Sequence, residues 1–294
     1  MTMQEKLCFV QFTHPGNEHT PDKNRSNIKS WNTGNHKRKF LLSEGEFVIE
    51  NEVQKNKLVF WGEWEPPSNV KKVEKKINKY YPNWIHTPYL PSKLPINFDG
   101  HNSYQNTDPL VFGDEFRYFL CKQYQDKKKR TTTLAKLESG DIILFGSTHG
   151  TKKENAFFQL DTVFVISHYI EYDISDVNAL NDYNLGIYRE FVFKMAFPQP
   201  SNYPLKLRLY FGSNYNNQVN GIYSFSPCKP FSSNLGFPRV QLKNIKHLTN
   251  NLNAAPKITQ VTIEESIEFW KIIQEATLNQ GCFEGVMFSF PITI

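Results

Sequence analysis

The chain has few cysteines and no long apolar run. Its four cysteines lie far apart and form no Cys-x-x-Cys pair: Cys8, Cys121, Cys228 and Cys282. This spacing argues against a structural zinc site built from thiolates, so buried reduced thiols are expected. No stretch approaches the roughly 20 apolar residues of a membrane helix, and the N-terminus does not resemble a signal peptide. We therefore expect a cytoplasmic protein with no membrane partner.

A strong excess of either charge is also lacking. The 34 Lys and Arg residues against 29 Asp and Glu residues give a formal net charge of +5. This charge permits a local patch for phosphate or nucleic acid without requiring one. Signatures of P-loop domains, dinucleotide-binding domains and serine-triad hydrolases are absent, which argues against those classes of protein.

Short apolar runs set the fold class. The 294 residues can form one large domain or two modest ones. Strands are predicted at 9–12, 46–49, 57–61, 142–146, 157–166, 205–211 and 286–290. Helices are predicted over 68–80 and from the capping box 262–265 to Gly281. The prediction is an α+β fold in which β dominates, with a first part at 1–170 and an α+β part at 171–294 packed on the same core. A single domain is the alternative.

A turn before one of these strands carries a resemblance. Gly140 and Asp141 precede the apolar strand 142–145, and a polar loop then leads to a second apolar strand. This order resembles the PUA-like superfamily of ASCH, EVE and YTH domains, over about residues 40 to 170. The wider string, from 14–16 through 61–64 to 160–164, is similar to uncharacterised bacterial proteins, some grouped as nucleotide-modification-associated.

The resemblance implies a PUA-like mixed barrel with peripheral helices and a β-rich C-terminal extension. It further implies a pocket that receives an RNA base or a flipped, modified DNA base between aromatic walls and a few polar groups. A role in sensing modified or foreign DNA in a bacterial defence or modification system would follow.

The stretch 9–39 contains the candidate catalytic groups. Three histidines and one carboxylate lie on its predicted loops: His14, Glu18, His19 and His36. A histidine that titrates near neutral pH can act as a general acid or base, and Glu18 can orient it. The spacing His-x4-His matches no common zinc motif, so we assign neither a metal nor a cofactor. The alternative is a loop whose histidines make structural hydrogen bonds.

The candidate binding groups lie in the same stretch and in later strands. Lys37, Arg38 and Lys39 are expected to hold a phosphate, with Trp31 and Asn32 against a base or sugar. Trp61, Glu63 and Trp64 are the candidate base pocket, and a core position for the tryptophans is the alternative. Asp161 interrupts a buried strand, so its carboxylate needs a partner in a loop or in this pocket.

Three functions fit these residues. The first is a module that binds nucleic acid or a modified nucleotide. The second is a hydrolase or transferase that acts on such a substrate through His14, Glu18 and His19. The third is an interaction subunit that docks a partner through the long segment 82–110. The expected partner is a nucleic acid or a nucleotide, and the oligomeric state is left open.

Overall fold

The computed structural model describes residues 6–14, 17–74, 78–95, 104–150, 155–176, 178–196, 201–248 and 256–294. The strands are β1 (Lys6–Thr13), β2 (Ile28–Lys29), β3 (Lys39–Ile49), β4 (Glu52–Gly62), β5 (Ser68–Lys72), β6 (Trp84–Pro88), β7 (Arg117–Tyr118), β8 (Tyr124–Gln125), β9 (Arg130–Thr131), β10 (Ile142–His149), β11 (Phe157–Asp173), β12 (Lys206–Gly212), β13 (Ser226–Pro230), β14 (Gln241–Leu242), β15 (Lys257–Thr262) and β16 (Phe283–Phe288). The helices are the short α1 (Lys194–Ala196), which continues a π-helical turn at Arg189–Phe193, and the long α2 (Ile263–Asn279). Short 3-10 turns lie at Asp126–Lys128 and Thr133–Lys136.

Two mixed sheets contain most of the strands. The first has the order β15-β1-β10-β11-β12-β7, with β14 added beside β11. The second has the order β16-β13-β4-β3-β6-β5-β2, and β16 also pairs with β3. β1 runs parallel to β10, and β3 runs parallel to β6. The expectation of a β-dominant fold is therefore confirmed, while the described strands form two large sheets rather than one closed barrel.

The first sheet is buried on both faces, which explains its continuous apolar strands. On one face, Phe9, Ile142 and Leu144 join the cluster that contains Trp270 of α2. On the other face, Val10, Phe12, Ile143 and Phe145 join the larger cluster with Leu41, Phe47 and Phe60 of the second sheet. Successive side chains of a strand point to opposite faces, so each strand supplies both clusters. The helix α2 packs against the first sheet and also reaches β16 of the second, where Gln274 donates to Glu284 at 2.8 Å.

The second predicted helix is confirmed. Thr262 accepts a hydrogen bond from the backbone N–H of Glu265, and the Glu265 side chain accepts one from the backbone of Thr262, which completes the capping box. Gly281 follows the helix with a φ of +75°, in the left-handed region that glycine adopts without strain. Within the described residues, no helix has the length and apolar composition needed to cross a membrane.

The predicted helix over 68–80 is wrong. Residues Ser68–Lys72 form β5, which pairs with β6, and residues 75–77 lie outside the described part. Ser68 and Val70 are buried while Asn69 and Lys71 are exposed, which is the alternation of a strand. The Ser68 hydroxyl lies 3.0 Å from Nδ1 of His86 in β6, so it bonds across the sheet instead of capping a helix.

The long segment 82–110 also contains a strand, β6, and its residues 96–103 lie outside the described part. β11 crosses position 170, and β15 and β16 pair with β1 and β3. Each large sheet therefore contains strands from both expected parts of the chain.

Candidate functional site

A cluster of charged and imidazole groups lies where three strands begin or end. His14 directly follows β1, and its backbone N–H donates to the Gly146 carbonyl at 2.6 Å. Arg38 precedes β3, whose first residue pairs with the last residue of β4, Gly62. Glu63 and Glu65 follow β4 directly and both approach His36, whereas the ring of Trp64 packs against Phe112. Three separate segments thus bring their polar side chains together.

Arg38 connects the members of this cluster. Its side chain is 2% exposed, and its guanidinium donates to Oε2 of Glu63 and to Nδ1 of His14. Its Nε lies 3.5 Å from Oδ2 of Asp161. Burial opposes the charge of Arg38, but the carboxylates of Glu63 and Asp161 outweigh it and raise its pKa. The guanidinium therefore stays charged inside the protein.

The contact with Arg38 fixes the tautomer of His14. A guanidinium has donors only, so Nδ1 of His14 must accept and its proton must lie on Nε2. Nε2 lies 3.6 Å from Sγ of Cys121. Burial, followed by the positive charge of Arg38, lowers the pKa of His14 well below its ordinary value. His14 is thus a neutral hydrogen-bond donor at the cavity described below, with its basic nitrogen already occupied.

His36 lies between two glutamates. Its Nδ1 is 2.9 Å from Oε1 of Glu65 and 3.4 Å from Oε1 of Glu63. Burial alone would lower the pKa of His36, but the negative charge of Glu63 and hydrogen bonds to both carboxylates raise it to about 10. Burial would raise the pKa of Glu65, yet the adjacent imidazoles of His19 and His36 and the positive charge of Lys39 lower it to about 2. His19 itself is buried, and its Nε2 lies 3.6 Å from Oε2 of Glu65.

Asp108 lies beside the charged cluster and organises the loop 119–121. Its carboxylate accepts three backbone N–H groups, from Phe119 at 3.0 Å, Leu120 at 2.9 Å and Cys121 at 2.6 Å. Its own N–H donates to Oε1 of Glu63 at 3.0 Å. Burial raises the pKa of Asp108 to about 7, although the three backbone hydrogen bonds act in the opposite direction. Asp108 therefore fixes the loop 119–121 against the charged cluster.

A cavity of about 540 Å³ opens between the charged cluster and the loop 119–121. Its lining combines the charged cluster with a partly apolar side: His14, His36, Glu63, Asn106, Asp108, Leu120, Cys121, Lys122, Tyr124 and Asp126. The Lys122 ammonium donates to the Thr13 carbonyl at 2.9 Å and lies over the ring of Phe12. The volume falls within the range of about 300–1,000 Å³ typical of ligand pockets.

A basic hairpin adjoins this cavity. Tyr124 and Asp126, which line the cavity, belong to the hairpin of β8 and β9. The turn between these strands and the first residue of β9 expose four cationic side chains: Lys127, Lys128, Lys129 and Arg130. This basic hairpin therefore lies beside the cavity with its cationic side chains exposed.

The tryptophans expected to form base-stacking walls are buried instead, between 2% and 7% exposed. The Trp31 Nε1 donates to the Gln105 carbonyl at 2.8 Å, and Trp64 Nε1 donates to the Pro67 carbonyl at 2.9 Å. The Trp61 ring lies 4.0 Å from the guanidinium of Arg239. These contacts place all three indoles in the core or under another side chain, as in the alternative considered above.

The expected basic phosphate site is also not on the surface. Lys39 is fully buried, and its ammonium donates to the Trp64 carbonyl. Arg38 is enclosed as described, and Lys37 is half-buried. The expectation that 37–39 together hold a phosphate is therefore corrected, because carboxylates and a carbonyl near β4 surround Arg38 and Lys39.

The remaining predicted residues surround the cluster. Asn32 is buried and its side chain holds the turn 32–35, accepting from Gly34 N and donating to the Asn35 carbonyl. Glu18 pairs through its backbone with Arg38 in an isolated bridge. Of the four predicted catalytic residues, the cavity lining includes His14 and His36, whereas His19 lies behind Glu65.

Asp161 has the partner that its buried carboxylate requires. The register between β10 and β11 shifts at Gly146, so that Asp161 is the extra residue of a β-bulge. Its Oδ1 lies 3.0 Å from Nη2 of Arg239, and its Oδ2 faces Arg38. Asp161 therefore joins the two arginines of the cluster.

Several groups of the site were not foreseen, among them Glu65, Asp108, Lys122 and Tyr124. Glu65 had a usable signal, since it follows Glu63 by two residues at the end of a predicted strand. The others reach the cavity only through tertiary packing. Comparison with protein-family models, with curated proteins and with solved structures found no match.

Proposed function

We propose that this protein binds a nucleotide unit, free or within a nucleic acid, in the 540 Å³ cavity, with phosphates along the hairpin 124–131. The observation that carries the proposal is the combination of this cavity with four exposed cationic side chains at its edge. A base is a planar, partly apolar group with polar edges, and a phosphate chain requires cations beside it. The site offers both within one region.

The lining assigns contacts to such a ligand. Tyr124 offers an aromatic surface, and stacking on such a ring contributes about 1–3 kcal/mol per base. The Nε2–H of His14 and the amide of Asn106 offer hydrogen bonds to the edges of a base. Lys122 brings a positive charge to the same wall. A pocket that receives a base is also what the PUA-like resemblance implies, although Tyr124 replaces the tryptophans in that role.

The test is the salt dependence of binding to labelled single-stranded DNA and RNA, followed by fluorescence anisotropy. Lys127→Gln with Lys128→Gln should weaken binding and reduce the slope of log affinity against log salt by up to about 1.4, or about 0.7 for each lost phosphate contact. The matched control is Lys71→Gln with Lys72→Gln, two exposed lysines on β5 of the other sheet. Equal affinity and slope in all three proteins would reject the proposal.

A second candidate function is an enzyme that acts on the bound nucleotide. It is favoured by the convergence of His14, His36, Glu63 and Asp108 on the cavity. Analysis of the same DNA and RNA for products after incubation distinguishes the two functions. An enzyme should lose about 10²–10⁴-fold in rate with His36→Ala, whereas a binding module should release no product in either form.

A further inference from the structure

His36, Glu63 and Glu65 present three metal-binding atoms to one point. The Nδ1 of His36 and one oxygen of each glutamate all lie within 4.8 Å of one another. The Nδ1 is 3.4 Å from Oε1 of Glu63 and 2.9 Å from Oε1 of Glu65. These atoms come from three positions on two segments, the loop before β3 and the segment 63–65 after β4.

The separations match those between ligands of a common ion. With metal–ligand bonds of about 2.1 Å, two ligands are about 3.0 Å apart at a right angle and about 3.4 Å apart at the tetrahedral angle. The distances from Nδ1 of His36 to the two glutamate oxygens, 2.9 and 3.4 Å, therefore match those between neighbouring ligands of one cation. An imidazole with two carboxylates is a donor set that suits Zn²⁺ and Mn²⁺.

A second observation points to the same position. His19 is 2% exposed, and its Nε2 has no hydrogen-bond partner among the described residues. This nitrogen lies 3.6 Å from Oε2 of Glu65, and that oxygen also makes no hydrogen bond to any described residue. An imidazole behind a carboxylate is the arrangement that orients a metal ligand from its outer side.

The second carboxylate is held in a comparable way. The guanidinium of Arg38 donates to Oε2 of Glu63, and the backbone N–H of Asp108 donates to Oε1 at 3.0 Å. Oε1 retains a lone pair on the side of His36. Both glutamates are thus fixed before a cation enters, which reduces the cost of ordering them.

We propose that His36, Glu63 and Glu65 bind one divalent transition-metal ion, Zn²⁺ or Mn²⁺, which displaces the proton on Nδ1 of His36 to solvent, with His19 orienting Glu65. Because His36 and Glu63 line the cavity, the remaining coordination positions face the space where a ligand would enter. Water or a phosphate oxygen can occupy those positions. The metal site goes beyond the proposed nucleotide binding. It does not depend on a bound nucleotide, since its ligands are side chains of the protein.

The test uses the full-length protein after dialysis against a chelator, titrated with ZnCl₂ and with MnCl₂ by calorimetry. One ion should bind per chain, and His36→Ala should weaken binding by about 100-fold or more. His36 is the variant of choice because its side chain is 34% exposed, so its loss leaves the fold intact, which circular dichroism checks. His19→Ala should weaken binding by about 10–100-fold, because the Glu65 ligand then loses the imidazole that orients it.

The matched control is His168→Ala, since His168 is an exposed histidine that stacks on Phe211 in β12. It should leave the affinity for both ions unchanged. Failure of the wild-type protein to bind either ion, or binding that survives His36→Ala, would overturn the proposal. Nucleic-acid binding by the metal-free protein is measured separately, so a failure of one proposal is distinguishable from a failure of the other.

Discussion

Lys39 should make the protein more stable as the solution becomes alkaline. The residue is fully buried, and its ammonium has the Trp64 carbonyl as a partner. Burial lowers the pKa of Lys39 from 10.5 to about 8, although the negative charge of Glu65 opposes the change. The charged form is therefore less favourable in the folded chain than in the unfolded chain.

The size and sign of the effect follow from proton linkage. Below pH 8 both states carry the proton, so the cost of the buried charge is complete. Between pH 8 and 10.5 the folded state has released the proton while the unfolded state retains it, so the free energy of unfolding rises with pH. At about 1.36 kcal/mol for each pH unit, the gain over this window is roughly 3 kcal/mol.

Urea denaturation at pH 7.5 and at pH 10.5 measures this gain in the wild-type protein and in Lys39→Met. The methionine side chain has no proton to release. Subtracting the free energy of unfolding of the Lys39→Met variant from that of the wild type therefore removes the contributions of the other titrating groups. The difference between the two proteins should increase by roughly 3 kcal/mol in favour of the wild type. Lys71→Met is the control for loss of an exposed lysine. A difference that stays constant with pH would refute the assignment of Lys39 as a buried cation.

Two further predictions concern the backbone. Gly146→Ala places a Cβ against the Gln159 carbonyl at the β-bulge. This contact should lower the free energy of unfolding, measured in urea, by about 1–3 kcal/mol. The control is Gly34→Ala, which should have little effect because the atom nearest to its new Cβ is 3.8 Å away. Thr262→Ala removes the capping box of α2 and should cost about 1 kcal/mol, measured as a lower thermal midpoint; an unchanged midpoint would mean that the cap contributes nothing.

The predictable parts of the fold have local or periodic signals. The strands at 142–146 and 157–166 are predominantly apolar, and the structure buries nearly all of their side chains, on both faces of the sheet. The helix after Thr262 has its own cap. In contrast, Ser68 and the lysines after it have the sequence pattern of a helix start. The segment forms a strand instead, and Ser68 bonds to His86 of the neighbouring strand. That contact depends on the sheet and has no local signal.

The site was predictable to a similar extent. His14, His36 and Glu63 were singled out by residue type, and the structure brings them to one cavity. The burial of Arg38 and Lys39 was not predictable from a run of three basic residues, which in isolation favours a solvated surface. It depends on carboxylates and a carbonyl supplied by the chain after β4, and this pairing exists only once β3 and β4 are in register.

The pairing of β1 with β15, and of β3 with β16, has a consequence for synthesis of the protein. At about 5–20 residues per second, roughly 10 to 50 seconds pass between the synthesis of β1 and that of β15. During this interval the first strand of the sheet lacks one of its two neighbours, and its edge is free to pair with another chain. The edge of β1 therefore stays open until β15 is synthesised, and a truncation before β15 leaves both large sheets incomplete.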